Sequence, residues 1–187
     1  ALNKGFNRYL YGILHKLGPK YDVMEDGYTL RIHSTALKAL FQDVIGLHGY
    51  SEEKAAPEVF FNAPKPVIAA LLRGYFSGDG AVSRGEVEVG SVSKRLIYDI
   101  QTLLLAFGIQ SKISIKSNEP HLPLYHLRIS GRDNLQRFRK EIGLAAPEKH
   151  KLIAARQRGA KWHVDAVPLV RALRDELEAV HTNGDTW

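Results

Sequence analysis

The chain has 187 residues, 44% of them hydrophobic and 25% charged, enough to bury a core without disulfide or metal staples and too apolar for a disordered tail. The 26 Lys and Arg against 20 Asp and Glu leave a net charge of +6 and a pI near 9.5, a modest bias toward polyanions, nucleic acid first among them. With no cysteine, a disulfide framework, thiolate-bound zinc and a thiol nucleophile are excluded; the apolar run at residues 67–72 is far short of a membrane span, and residues 1–7 carry no signal-peptide pattern. The expectation is a soluble, intracellular protein with no membrane partner.

In chain order, residues 7–17 have helical spacing, 21–23 and 28–33 read as strands, and 35–45 as a helix. Pro66 can open a helix at its first turn, and the apolar stretch 67–76 continues it until Gly78 and Gly80. Glu86-Val-Glu-Val alternates as a half-buried strand. Leu96, Ile97, Ile100, Leu103, Leu104 and Phe107 then mark a helix ending at Gly108. Residues 112–116 alternate again, 125–130 form a fourth strand, and 133–142 a last helix. The order is α-β-β-α-β-β-α. A basic stretch at 149–161 follows, after which Asp165 caps a short amphipathic helix through Val170, Leu173, Leu177 and Val180, and the tail from His181 to Trp187 is expected to fray.

The chain also repeats itself. YTLRIHSTALKALFQDVIGL from Tyr28 lies over YHLRISGRDNLQRFRKEIGL from Tyr125 without a gap, at an offset of 97 and with 8 identical pairs in 20 positions. The same offset joins Lys54 to Lys151. The first unit shows only the closing α-β-β-α, so its opening helix and two strands are expected before Ala1. The division expected is 1–57 for the end of the first repeat, 58–147 for a complete second repeat, and 148–187 for a basic segment and C-terminal helix.

On the helix that begins near Pro66, Ala70, Gly74 and Gly78 share one face. Interior glycines cost about 1 kcal/mol each relative to alanine, so the face implies close approach of another backbone; a helix packed on its own sheet would account for the small residues as well. Gly78-Asp79-Gly80 is less easily explained by packing, because it sets a carboxylate where the chain leaves an apolar helix. Asp79 is placed there to reach a divalent cation with a hard oxygen ligand. No HExxH, GxxxxGK[ST] or GxSxG occurs, which sets aside zinc hydrolase, NTPase and serine hydrolase chemistry.

LRGYFSGDG, Leu72 to Gly80, resembles the nine-residue motif of the LAGLIDADG homing endonucleases. The αββαββα order, the duplication, the Phe61-Asn-Ala-Pro lead-in, LLLAFGI at 103–109, Lys54 followed by Pro57, and VDAVPLVRAL at 164–173 are similar to the endonuclease domain of inteins. The resemblance implies an α+β fold of tandem αββαββα units with saddle-shaped antiparallel sheets, motif helices packed at a pseudo-twofold axis through Ala70, Gly74 and Gly78, and double-stranded DNA along the sheets. It further implies Mg²⁺ or Mn²⁺ held by Asp79 with Gly78, and Lys54 and Lys151 as catalytic lysines near the scissile phosphate. Ser77 stands where the motif carries its other aspartate.

If the sheets lie on DNA, strand alternation assigns the face: Leu127 and Ile129 point inward, so His126, Arg128 and Ser130 point out, as do Lys112, Ser114 and Lys116 against Ile113 and Ile115. Thr29, Arg31 and His33 are the counterparts in the first unit. Glu86 and Glu88, on the same kind of face, are weaker candidates because phosphates repel them. The function implied is site-specific, metal-dependent cleavage of double-stranded DNA by an intein-associated endonuclease. The rival is a LAGLIDADG module that binds nucleic acid without cutting, or an inert insert. No cysteine and no His-Asn ending is present, so this chain is not expected to splice. Since one motif acid is present where a composite site uses two, the glycine-lined helix face is expected to be covered by a first-motif segment, a separate chain or a second copy.

Overall fold

The computed structural model describes residues 4–24, 29–47, 49–83 and 85–155; the amphipathic helix expected after Asp165 and the tail lie outside them. The first unit consists of α1 (Lys4–Leu17), an antiparallel pair of strands β1 (Lys20–Val23) and β2 (Leu30–His33), and α2 (Thr35–Ala39), which widens into a π turn over Leu40–Val44. A 3-10 turn, Glu58–Asn62, leads into the second unit: α3 (Lys65–Gly78), β3 (Ala81–Ser83), β4 (Glu86–Ser91), α4 (Lys94–Leu105), β5 (Lys112–Asn118), β6 (His121–Ile129) and α5 (Arg132–Arg137), which again widens into a π turn over Phe138–Ile142. The α-β-β-α-β-β-α order read from the sequence is present in full in this unit.

The duplication has a structural signature. Both closing helices end on a backbone bond across five residues, Ile45 N–H to the Leu40 carbonyl at 2.9 Å and Gly143 N–H to the Phe138 carbonyl at 2.7 Å. Both then turn through a glycine with positive φ, 82° at Gly46 and 69° at Gly143, a conformation open to residues without Cβ. The paired Gly46 and Gly143 of the repeat are therefore backbone requirements.

In the second unit the antiparallel sheet runs in the order β3-β4-β6-β5. Val87, Val89, Leu127 and Ile129 are buried beneath it against Ile68, Leu72 and Phe76 of α3, Ile97, Ile100 and Leu104 of α4, and Phe138 and Ile142. Phe76 and Phe138 meet edge to face, with ring centroids 5.0 Å apart, an arrangement favoured by the aromatic quadrupole. In the first unit Leu14 is buried, while Leu17, Val23, Ile32 and Val44 are exposed.

Several boundaries differ from the sequence reading. β6 starts at His121 rather than Tyr125, because its first half pairs with the β5 edge strand beyond the core and needs no apolar alternation. For the same reason Ile115, expected to point into the core, is 61% exposed, near the register shift between Lys116 and Asn118. The stretch after Leu144 is not merely basic: α6 (Pro147–Ala155) packs on β3 and buries Ile153 in the core.

His150 ties α6 back to the turn before it. Its Nδ1 accepts from the Leu144 N–H at 3.2 Å, which requires that nitrogen to be unprotonated. Burial first, then Arg139 and Arg73, hold the imidazole below its ordinary value of 6.5. A depressed folded pKa means that the stability due to this group is present above the unfolded pKa and is lost as pH falls through the folded value. The melting temperature is expected to drop as pH falls below about 6.5, with part of the drop absent in His150→Leu; an identical pH profile in that variant would refute the assignment. At Gly80 a Cβ would run into the Phe76 carbonyl oxygen. Gly80→Ala is accordingly expected to cost about 1–3 kcal/mol in denaturant titration.

Candidate metal and nucleic-acid site

The residues LRGYFSGDG form the second half of α3 and its exit, and each side chain has a distinct surrounding. Leu72 and Phe76 are in the core. Arg73 donates from Nε to the Ile142 carbonyl at 2.6 Å, satisfying an acceptor at the end of the π turn. Ser77, standing at the motif's other aspartate position, is fully buried; its Oγ donates to the Arg73 carbonyl and accepts from the Ala145 N–H at 2.8 Å. A carboxylate there would bring a charge into the core, so serine has a structural reason of its own. Lys149 of α6 donates from Nζ to the carbonyls of Ser77 and Gly80, at 3.3 and 3.0 Å.

Asp79 is the residue at which α3 ends, with φ −95° and ψ −9° and its N–H on Tyr75 and Phe76. It and Gly78 are exposed. The small-residue face also looks outward: Ala70 is exposed, Gly74 is half-buried, and among the described residues nothing lies within 4 Å of a Cβ built on Gly74.

A cleft of about 380 Å³ runs between α3, α4 and the chain that links the repeats, lined in part by Lys54, Leu71, Tyr75, Asp79 and Ser91. It brings Lys54, from the end of the first repeat, to the same space as Asp79, from the motif of the second. Two long-range bonds place Lys54. Ser93, the N-cap of α4, donates from Oγ to the Lys54 carbonyl at 2.6 Å, and Asp99 Oδ2 accepts from the Ala56 N–H at 3.0 Å. Lys151 is exposed on α6; the lysine that reaches the carbonyl end of α3 is Lys149.

For a divalent cation the described residues of the cleft offer one carboxylate. The Asp79 carboxylate is a hard oxygen donor at a helix C-terminus, where the dipole is negative. Among the described residues no three Asp, Glu, His or Cys side chains converge, so further oxygen ligands have to come from water, substrate phosphate or another acid.

On the outer face of the sheet, register aligns Glu88 of β4, Arg128 of β6 and Lys112 of β5, and in the next row Gly90, His126 and Ser114. Lys112 and Lys116 are exposed on the edge strand, Ser130 is exposed just past β6, and Ser114 is half-buried. Arg128 is not an open cation: its Nε lies 3.2 Å from Glu86 and 3.8 Å from Glu88, within ion-pair range but without the alignment of a hydrogen bond. The His126 ring lies over Gly90. Burial and Lys116, with a smaller contribution from Arg128 and against the pull of Glu88, hold its imidazole below the ordinary 6.5. In the first unit Arg31 faces Asp22 across the strands, Asp22 pairs with His33 at 2.7 Å, and Arg31 and His33 are exposed, as is Thr29.

Sequence reasoning missed Tyr75, whose only signal was a phenol in an otherwise apolar motif position. Its hydroxyl is buried without a hydrogen-bond partner among the described residues, and burial, with the Asp79 charge second, pushes the phenol well above its ordinary 10. Leaving a buried hydroxyl unpaired costs about 1–3 kcal/mol. Tyr75→Phe is therefore expected to leave the denaturation midpoint unchanged or to raise it, and a clear loss of stability would show that the hydroxyl is bonded in solution.

Residues 66–143 match the family model described as a LAGLIDADG-like domain. Among curated proteins, the chain is 42% identical over 95 residues to a probable translation initiation factor IF-2 of Thermococcus kodakarensis, covering 50% of this chain and 8% of that protein. It is 31% identical over 172 residues to a glutamine–fructose-6-phosphate aminotransferase of Methanocaldococcus jannaschii, covering 86% of this chain and 16% of that protein. The chain thus spans a small part of the length of these relatives. Two structures of the homing endonuclease I-DmoI, one of them in complex with DNA and Mn, superpose with TM-scores of 0.54 and 0.52 at 18% and 19% identity, over 73% and 71% of this chain and 71% and 69% of theirs. The fold is α+β, like that of I-DmoI, and residues 66–143 are a LAGLIDADG-like domain.

Proposed function

We propose that the chain is the DNA-cleaving part of an intein-associated homing endonuclease, a site-specific enzyme that hydrolyses phosphodiester bonds of double-stranded DNA with Mg²⁺ or Mn²⁺. The observation that carries the reading is the cleft shared by Asp79 and Lys54, a hard anionic ligand and a cation contributed by two different repeats. That the chain resembles short stretches of proteins as unlike as an initiation factor and an aminotransferase supports an inserted element, since one stretch cannot carry both named activities.

Phosphodiester hydrolysis needs an activated water and stabilisation of charge on the phosphoryl and leaving oxygens. A divalent ion, when bound, supplies that stabilisation as a Lewis acid. Asp79, with the Gly78 carbonyl, would hold it, on the backbone fixed by the clamped end of α3. Lys54, its backbone fixed by Ser93 and Ala56 by Asp99, offers its ammonium to the scissile phosphate. In the second repeat Lys151 occupies the position equivalent to Lys54. The outer sheet face carries Lys112, Ser114, Lys116, His126, Arg128 and Ser130 toward DNA, with Thr29, Arg31 and His33 in the first unit. A second acid, from a first-motif segment, a separate chain or a second copy packed on Ala70, Gly74 and Gly78, completes the site for cutting both strands.

One observation favours the rival, a module that binds without cutting: Asp79 is the one acid lining the cleft among the described residues. Duplexes selected by binding from a randomised pool separate the two. Asp79→Asn is expected to abolish metal-dependent cleavage while leaving affinity within a few-fold, and Lys54→Met to slow cleavage by about 10²-fold. A wild-type protein that binds these duplexes but does not cut them, with the first-motif helix supplied, would establish the rival. The logarithm of affinity is expected to fall linearly with the logarithm of salt concentration, and Lys112→Gln with Lys116→Gln to flatten that slope by about 1.8 at −0.9 per phosphate contact. A flat dependence in the wild type would remove nucleic acid from the reading.

A further inference from the structure

The carboxylates of Glu86 and Glu88 are misplaced for a surface that simply attracts phosphate. They stand on the outer face of β4, in the middle of the sheet, and their side chains are 31% and 29% exposed. The register puts Glu88 directly beside Arg128, with Lys112 on the other side of the same row. Both acids approach Arg128 at Nε, the inner nitrogen of the guanidinium, at 3.2 and 3.8 Å. The terminal nitrogens are the fork that matches guanine O6 and N7. The two carboxylates and the Arg128 guanidinium together carry one net negative charge, which weakens the pull of this face on a phosphate backbone at its centre, while Lys112 and Lys116 on the edge strand attract it.

We propose that Glu86 and Glu88 determine the specificity of this face. They flank Arg128 at Nε within ion-pair distance, compete with phosphates of any sequence for its charge, and leave its terminal nitrogens to a guanine in the major groove. A guanine at that position accepts twice from the Arg128 fork, and those bonds offset the repulsion between the acids and the DNA; a base without the O6 and N7 acceptors leaves that repulsion unopposed, a discrimination that rests partly on repulsion. The inference depends on the sheet being a DNA surface.

The test compares the wild type with Glu86→Gln/Glu88→Gln, which keeps shape and removes both charges, and with Arg128→Met. Each is measured by fluorescence anisotropy on a random-sequence duplex, and by sequencing of the duplexes each retains from a randomised pool. The wild type is expected to show a guanine preference at one position of the second half-site. The double variant is expected to bind the random duplex at least about 10-fold tighter, because two like charges leave the face, and to lose most of that preference; Arg128→Met loses the preference without the gain in random binding. A double variant that binds random duplex no tighter, or that keeps the guanine preference intact, overturns the proposal. Should the double variant fail to fold, Glu86→Gln alone, which removes the nearer carboxylate, is read in the same way with a smaller gain. Salt-dependent binding by the wild type is read separately, so loss of the DNA reading as a whole is distinguishable from loss of this inference.

Discussion

The end of α3 is where this molecule concentrates its long-range hydrogen bonds, and the arrangement of the site follows from that clamp. Arg73 reaches Ile142, Ser77 holds Ala145, and Lys149 spans the carbonyls of Ser77 and Gly80. Each bond joins positions about seventy residues apart in sequence, and each satisfies a group at a helix end or turn that would otherwise be buried without a partner. Gly80 completes the clamp from the other side by letting the chain pass against the Phe76 carbonyl. Asp79 is thus an exposed side chain on a backbone with little freedom, and in the proposed role of metal ligand that lowers the entropy lost on binding.

The same clamp explains why α6 belongs with the second unit. Ile153 enters the core, His150 bonds the turn before the helix, and Lys149 turns its charge toward the negative end of α3. None of this is visible as periodicity. The residues of α6 read as a charged stretch because its polar members are not facing water in a stripe; two of them are spent on backbone groups of other segments. Hydrogen bonds between distant segments leave no mark on local pattern, which is why the sequence shows neither the buried bonds of Ser77 nor the reach of Lys149 to the end of α3.

Local pattern did carry most of the second unit. The heptad-like spacing at Leu96, Ile100 and Leu103 predicted α4, and the alternation around Leu127 and Ile129 predicted which side of β6 is buried, because burial on one face imposes those periods. The repeat predicted more than similarity: Gly46 and Gly143 recur because both closing helices widen in the same way and both need a positive φ to leave. Where the core ends, pattern fails. The first half of β6 and Ile115 lie past the packed helices, and there strand pairing alone decides the structure. The outer sheet face is a further case. Its basic residues were legible, but that Arg128 is bracketed by Glu86 and Glu88 depends on which strands are neighbours, and β6 lies between β4 and β5 although it follows both in sequence.

The link between the repeats is tied to the second unit by backbone bonds. Lys54 belongs to the first repeat by sequence, yet its carbonyl is bonded to Ser93 and the adjacent Ala56 N–H to Asp99, both on or at the start of α4. Its position relative to Asp79 is therefore set inside the second unit and does not depend on how the first unit packs. An exposed lysine side chain on a pinned backbone keeps freedom at its tip while its root is fixed, which suits a group that follows a phosphate entering the cleft. The two repeats are joined beside the cleft by those backbone bonds, and under the proposed function a change in Ser93 or Asp99, neither of which lines the cleft, would act through the placement of Lys54.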